Sequence, residues 1–191
     1  MYKDLFSNYL KQQITALPEE VDFFYNLLTP KNYKKNETIL LQDSICKNQF
    51  FIVKGVLLAY EIDEKGIEHV IQIGLENSWI GDLESYINNT RCSRIIRAYS
   101  DCDLLLLNQT NYQKLLENCP IFEKLFRILF QTAYIKQTER VSMMLKTDME
   151  NRLKYFLEKN KTLLEKVEWK IIASYLDMSP ETLSRIKKRF A

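Results

Sequence analysis

A single histidine, His69, stands in this chain of 191 residues, and none of its four cysteines forms a C-x-x-C pair. Cys46, Cys92, Cys102 and Cys119 are scattered. A zinc or iron–sulfur site would have to gather ligands from distant segments, so reduced thiols, with no metal and no cofactor, are expected. No Ser or Asp pattern around His69 suggests a catalytic triad. There is also no Gly-rich phosphate loop, no motif of paired acid–base carboxylates and no activated nucleophile, so an enzyme is not expected. Glycine and proline are scarce, at 4 each, and no segment is of low complexity. The longest uncharged apolar runs fall far short of the ~20 residues a membrane span needs, so no membrane partner is expected. The start, Met1-Tyr2-Lys3-Asp4-Leu5-Phe6, lacks the layout of a secretion signal, and a cytoplasmic location is expected.

The composition that is present, 46% hydrophobic with 12% aromatic residues, suffices for a real core. The net charge of +2 conceals an asymmetry. Residues 166–191 hold six basic side chains (Lys166, Lys170, Arg185, Lys187, Lys188, Arg189) against three acidic ones (Glu168, Asp177, Glu181), whereas residues 1–165 are nearly balanced. Polyanion binding, if any, belongs at the C-terminal end.

Periodicity divides the chain into three. Residues 2–28 read as two helices, the second starting at Pro18-Glu19-Glu20. From Asn32 to Asn108 short β-branched and aromatic runs succeed one another: 38–41, 50–53, 56–60, 70–73, 95–99 and 104–107. Lys54-Gly55 and Asp63-Glu64-Lys65-Gly66 supply turn chemistry between them, and many short strands suggest a small antiparallel barrel or sandwich. Beyond Asn108 a helical stripe through Ile121, Phe122, Leu125, Phe126, Ile128, Leu129, Ala133 and Ile135 extends to about Leu145. So broad a stripe can cover the barrel in part and pair with its own copy in part. Residues 148–159 form another amphipathic helix, with a break at Lys159-Asn160-Lys161.

The segment from Val167 to Arg189 fits a helix-turn-helix position by position. Ala173 is the small residue at the close approach of two helices, Leu176 and Met178 plug the turn, and Leu183 and Ile186 face the core. Ser179 can cap the second helix, Pro180 at its first position loses no hydrogen bond, and Glu181 suits the positive end of the helix dipole. Asp177 occupies the turn position where glycine is usual. The exposed side of the second helix then carries Glu181, Thr182, Ser184, Arg185, Lys188 and Arg189, with Lys170 on the first helix. Arginine is suited to guanine and glutamate to cytosine, while lysines and arginines at the end of the helix suit phosphates.

Taken together, Phe50-Phe51-Ile52-Val53-Lys54-Gly55, Trp79-Ile80-Gly81-Asp82-Leu83 and Ile172 to Arg185 resemble the Crp/Fnr superfamily of transcription regulators over nearly the whole chain. The resemblance implies an α+β protein with three parts: a cyclic-nucleotide-binding-like antiparallel β jelly-roll sensor with N-terminal helices (1–117), a dimerisation helix (118–146) and a helix-turn-helix domain (147–191). It implies an effector pocket at Gly81, Asp82, Leu83, Cys92, Ser93 and Arg94, and a homodimer joined through Ile121, Leu125, Ile128, Leu129 and Ile135. Double-stranded DNA is the implied partner, with RNA polymerase a further candidate. Cyclic-AMP-binding members present Gly-Glu-Leu and, twelve residues on, Arg-Ser. Here the glutamate is Asp82 and a neutral thiol, Cys92, stands where a guanidinium would meet the phosphate. Strand alternation sends Arg91 to the opposite face and keeps Arg94 on that of Cys92, so another small-molecule effector, or none, is expected. Glu181 and Arg185 match the family's base-reading positions, but Pro180 replaces a further arginine, and the end at Ala191 leaves no evident wing. The competing reading is a small-molecule or protein-binding module whose C-terminal helices contact a protein partner. DNA binding predicts a steep loss of affinity with salt and that module predicts little.

Overall fold

A computed structural model of the protein describes residues 1–190. The expectation of no wing beyond Ala191 lies outside the described residues. Two helices open the chain, α1 (Tyr2–Gln13) and α2 (Pro18–Asn26). Pro18 starts α2 where its missing N–H is no loss, and the Glu20 carboxylate accepts a hydrogen bond from the Leu17 amide at 2.7 Å.

Eight strands follow: β1 (Thr29–Tyr33), β2 (Thr38–Leu40), β3 (Asn48–Lys54), β4 (Leu57–Ile62), β5 (Glu68–Gly74), β6 (Trp79–Ile80), β7 (Ile95–Ala98) and β8 (Cys102–Asn108), with a short helix α3 (Leu83–Asn88) between β6 and β7. They form two antiparallel four-stranded sheets, in the orders β1-β8-β3-β6 and β2-β7-β4-β5. This is the jelly-roll arrangement expected. Pro30 lies in β1, an edge strand that tolerates the missing donor.

The middles of β3 (Phe50 to Val53) and β8 (Leu104 to Leu107) are continuous apolar runs because they are buried on both faces. Phe50, Ile52, Leu104 and Leu106 point between the sheets, whereas Phe51, Val53, Leu105 and Leu107 point outward under the helices. Gly55 turns β3 into β4 at φ +97°, and a Cβ there would run into the backbone of Asp101 and Cys102.

The helical part consists of α4 (Gln109–Asn118), α5 (Ile121–Lys146), α6 (Met149–Lys159), α7 (Lys161–Lys166), α8 (Trp169–Tyr175) and α9 (Pro180–Phe190). Asn108 caps α4 and Asp148 caps α6, each side chain accepting from a backbone amide at 2.8 Å. The structure corrects the dimerisation set. Leu125 is fully buried within its own chain, with Ile121, Ile128 and Leu129 packed against the same cluster, because the first turns of α5 join α1 and α2 in covering the outer face of β3 and β8. Of that set only Ile135 is exposed. Residues 131–139 are exposed without exception, so this middle stretch of α5 stands clear of its own chain.

Candidate nucleic-acid interface and effector pocket

Backbone hydrogen bonds close the turn between α8 and α9: Leu176 N donates to Ile172 O at 3.0 Å and Met178 N to Ala173 O at 2.9 Å. Asp177 takes φ +55°, the left-handed conformation that the turn requires. Ser179 Oγ accepts from the Thr182 amide at 3.1 Å, capping α9. Ile172, Ala173, Leu176, Met178, Leu183 and Ile186 are all buried in one cluster, which includes Leu153, Phe156 and Leu163 of the preceding helices.

Outward from this core the side chains of α9 separate by their surroundings. Pro180, Glu181, Ser184, Arg185 and Lys188 line one shallow concavity, and Thr182 is half-buried beside it. Hydrogen bonds from its own amide and from Ser179 hold the Glu181 carboxyl below its ordinary value, so it is an acceptor at neutral pH. Among the described residues neither Arg185 nor Lys188 has an ion-pair partner, and both charges face solvent. The other cations are engaged. Arg189 meets Glu150 at 3.4 Å, Lys170 meets Glu168 at 3.0 Å, and Lys187 Nζ lies 3.5 Å from the centre of the Trp169 ring. Lys187, assigned to phosphate from sequence, is thus held against the first helix.

The six residues assigned to an effector pocket are brought near one another, but in a closed arrangement. A Cβ at Gly81 would collide with the Gln49 side chain, so this backbone passes where only glycine fits. Asp82, 4% exposed, caps α3 by accepting from Ser85 N at 3.0 Å and pairs with Arg94 Nε at 3.1 Å. Leu83 begins α3 with its side chain partly in solvent, and Ser93 donates to Glu61 at 2.9 Å. Cys92 is buried, its thiol donating to the carbonyls of Leu41 at 3.1 Å and Arg94 at 3.5 Å. The alternation assumed for residues 91–94 does not apply. Only Arg91 makes an isolated bridge, to Ile45, and the segment is pinned by backbone bonds from Cys92 N to Ser44 O and from Asp43 N to Cys92 O, both 2.9 Å. Arg94 therefore turns to Asp82. The two charges neutralise each other, so an incoming phosphate would have to displace the Asp82 carboxylate.

Residues 30–119 match the family model of the cyclic nucleotide-binding domain. Among solved structures the chain is similar to FixK2 of Bradyrhizobium japonicum (15% identity, TM-score 0.74, 85% of this chain and 84% of that one). A CooA mutant of Carboxydothermus hydrogenoformans gives 16% identity and a TM-score of 0.74 over 92% of this chain and 84% of that one. A chain from Eubacterium rectale assigned to the Crp/Fnr family of transcriptional regulators gives 18% and 0.68 over 96% and 87%. The chain has the Crp/Fnr fold. No curated protein sequence matches it.

Two polar residues that the sequence did not single out, Arg140 and Ser174, join the two halves of this Crp/Fnr fold, and a third, Arg152, braces the helical part. Arg140 of α5 donates to Ile71 O at 2.8 Å, Val70 O at 3.3 Å and Tyr175 O at 2.9 Å. Ser174 of α8 accepts from Val70 N at 2.9 Å and donates to Glu68 O at 3.2 Å. Arg152 of α6 donates to Leu176 O and Met144 O, both at 3.0 Å. No spacing rule marks them, since their partners are backbone carbonyls far away in sequence. Among the described residues no group of three His, Cys, Asp or Glu side chains could hold a metal ion. No described helix is long and apolar enough to cross a membrane.

Proposed function

We propose that this chain is a homodimeric, sequence-specific DNA-binding transcription regulator of the Crp/Fnr type, working in the bacterial cytoplasm, whose effector is not cyclic AMP. The observation that carries the reading is the exposed face of α9, where Glu181, Ser184, Arg185 and Lys188 form one concavity on a capped helix, with Arg185 and Lys188 unpaired among the described residues. Arg185 and Glu181 are suited to base edges, and Lys188 and Arg189 to the phosphates that set register. Lys170, at the start of α8, suits the backbone that the first helix of such a motif crosses.

Pairing is assigned to the bare face of α5. At 100° per residue Phe130, Tyr134, Val141 and Leu145 fall within roughly 60° of one another, and Gln137 and Thr138 complete that face. Tyr134, Val141 and Leu145 are 70%, 56% and 81% exposed, which suits a seam between two copies of this helix. Two recognition helices would then enter successive major grooves about 34 Å apart on a near-palindromic site. RNA polymerase is a further partner of such a regulator. Cyclic AMP is set aside because Cys92 offers no positive charge, and the one guanidinium of the pocket, on Arg94, is occupied by Asp82.

The test is selection of sites from random duplex DNA by the full chain at ~0.15 M salt, repeated with Arg185→Ala and with cyclic AMP added. The reading expects a palindromic consensus, blurred by the substitution and indifferent to cyclic AMP. Affinity should fall steeply with salt. Recovery of no enriched site, together with salt-independent capture of a protein partner, would reverse it.

A further inference from the structure

Strand β5 is one of the two edges of its sheet, and an open edge leaves backbone groups that need partners. No strand supplies them here. The amide of Val70 and the carbonyls of Glu68, Val70 and Ile71 are met instead by the side chains of Ser174 and Arg140. The helix-turn-helix is thereby fastened to the sheet edge by side chains.

Arg140 is the member of this junction that touches three elements. Its side chain leaves α5 on the face that Phe122 and Leu129 use against the sensor, since 140 lies within roughly 20° of both at 100° per residue. One guanidinium nitrogen reaches Ile71 O and the other spans Val70 O and Tyr175 O, while the plane stacks over the Tyr175 ring at 4.2 Å. Tyr175 O is a carbonyl at the C-terminus of α8, where a cation is favoured. Among the described residues no carboxylate pairs with Arg140, and its Nε is buried without a partner. A half-buried guanidinium without a carboxylate partner depends on its hydrogen bonds, and its planar fork is satisfied only while all three carbonyls keep their places.

We propose that Arg140 is a positioning residue for DNA reading: it fixes the angle between α8 and the sensor sheet, and with it the separation of the two recognition helices in a dimer. The inference rests on the DNA-binding reading above. Arg140 lies outside the base-reading face, so its loss leaves the half-site sequence unchanged and relaxes the spacing between half-sites.

Two measurements on the full chain test this, with Arg140→Met removing every donor and Arg140→Lys keeping charge without the fork. The first is the distance distribution between spin labels at Glu64→Cys, in the β4–β5 turn, and Lys188→Cys, on α9, in protein diluted with unlabelled chain. It needs no DNA. A narrow distribution in the parent should broaden in Arg140→Met and, to a lesser degree, in Arg140→Lys. The second is site selection, in which the parent recovers one half-site spacing and both variants recover several with the same half-site sequence. A distribution and a spacing in both variants equal to the parent's would overturn the proposal. If Arg140→Met does not fold, Arg140→Lys decides alone. If the parent selects no site at all, the DNA-binding reading fails, while the label distances still show whether Arg140 sets the angle.

Discussion

Asp177 sits at φ +55° in a turn that glycine enters without strain, and its burial-free position means that backbone alone sets the difference. Asp177→Val should lower the unfolding free energy by about 1–2 kcal/mol, whereas Asp177→Gly should leave it unchanged or raise it by up to about 1 kcal/mol. Urea midpoints of the two variants check this, and a loss in Asp177→Gly would mean that the carboxylate itself supports the turn. At this scale the helix-turn-helix was legible, because its signals are local: a cap, a proline and a small residue act on neighbours a few positions away. The pocket was not. Cys92 and Arg94 point where they do because Asp43 and Ser44, some fifty residues earlier, pin the strand-less segment between them. Neither charge nor solvent activates the Cys92 thiol for the same reason, since the Arg94 guanidinium is turned to Asp82 and the thiol to carbonyls. In the native state the four buried cysteines should react with a charged thiol reagent at least tenfold more slowly than in urea. Burial also raises the pKa of Cys46, Cys102 and Cys119.

Among the elements, α5 could be bounded from sequence almost to the residue, since its apolar repeat runs over many turns. Shorter pieces escaped. Strand β6 has two residues and α3 six, less than either needs to display a period, and Asp82 was read as a ligand position when its local work is to cap α3. Helix α7 hides behind the break at Asn160, which does double service as the end of α6 and the start of α7. It carries Lys166, whose ion pair with Glu76 ties the helical part to the loop after β5. Burial pushes the Glu76 carboxyl up, but the hydrogen bonds from Lys166 and the Gly55 amide outweigh it and hold the pKa below the ordinary value of 4.5. A depressed folded value gives stability that is fully present above the unfolded pKa and disappears as the pH falls through the folded one. Denaturant midpoints of the parent should therefore exceed those of Glu76→Gln at neutral pH, with the gap closing once the pH drops below about 4.5. A constant gap down to lower pH would show that the pair contributes nothing titratable.

Over the whole molecule, the middle of α5 leaves apolar side chains bare, with Tyr134, Ile135 and Val141 all more than half exposed. Tyr134→Glu with Val141→Glu should convert the dimer to monomer in sedimentation equilibrium and weaken operator binding at least tenfold, with the melting of the jelly roll unchanged. A dimer that survives both changes would place the seam elsewhere. The third hydrophobic cluster has a different character: Val56, Leu58 and Val70 of the sheet form one wall and Leu153, Phe156, Ile172, Leu176 and Leu183 the other. The helical domain therefore owns only part of its core. During synthesis the jelly roll emerges first and folds with that wall bare, and the late-arriving helices find a finished floor to assemble on. Transplanted onto a foreign sensor without the β4–β5 face, residues 147–191 would lack that floor, so these helices are not a portable module.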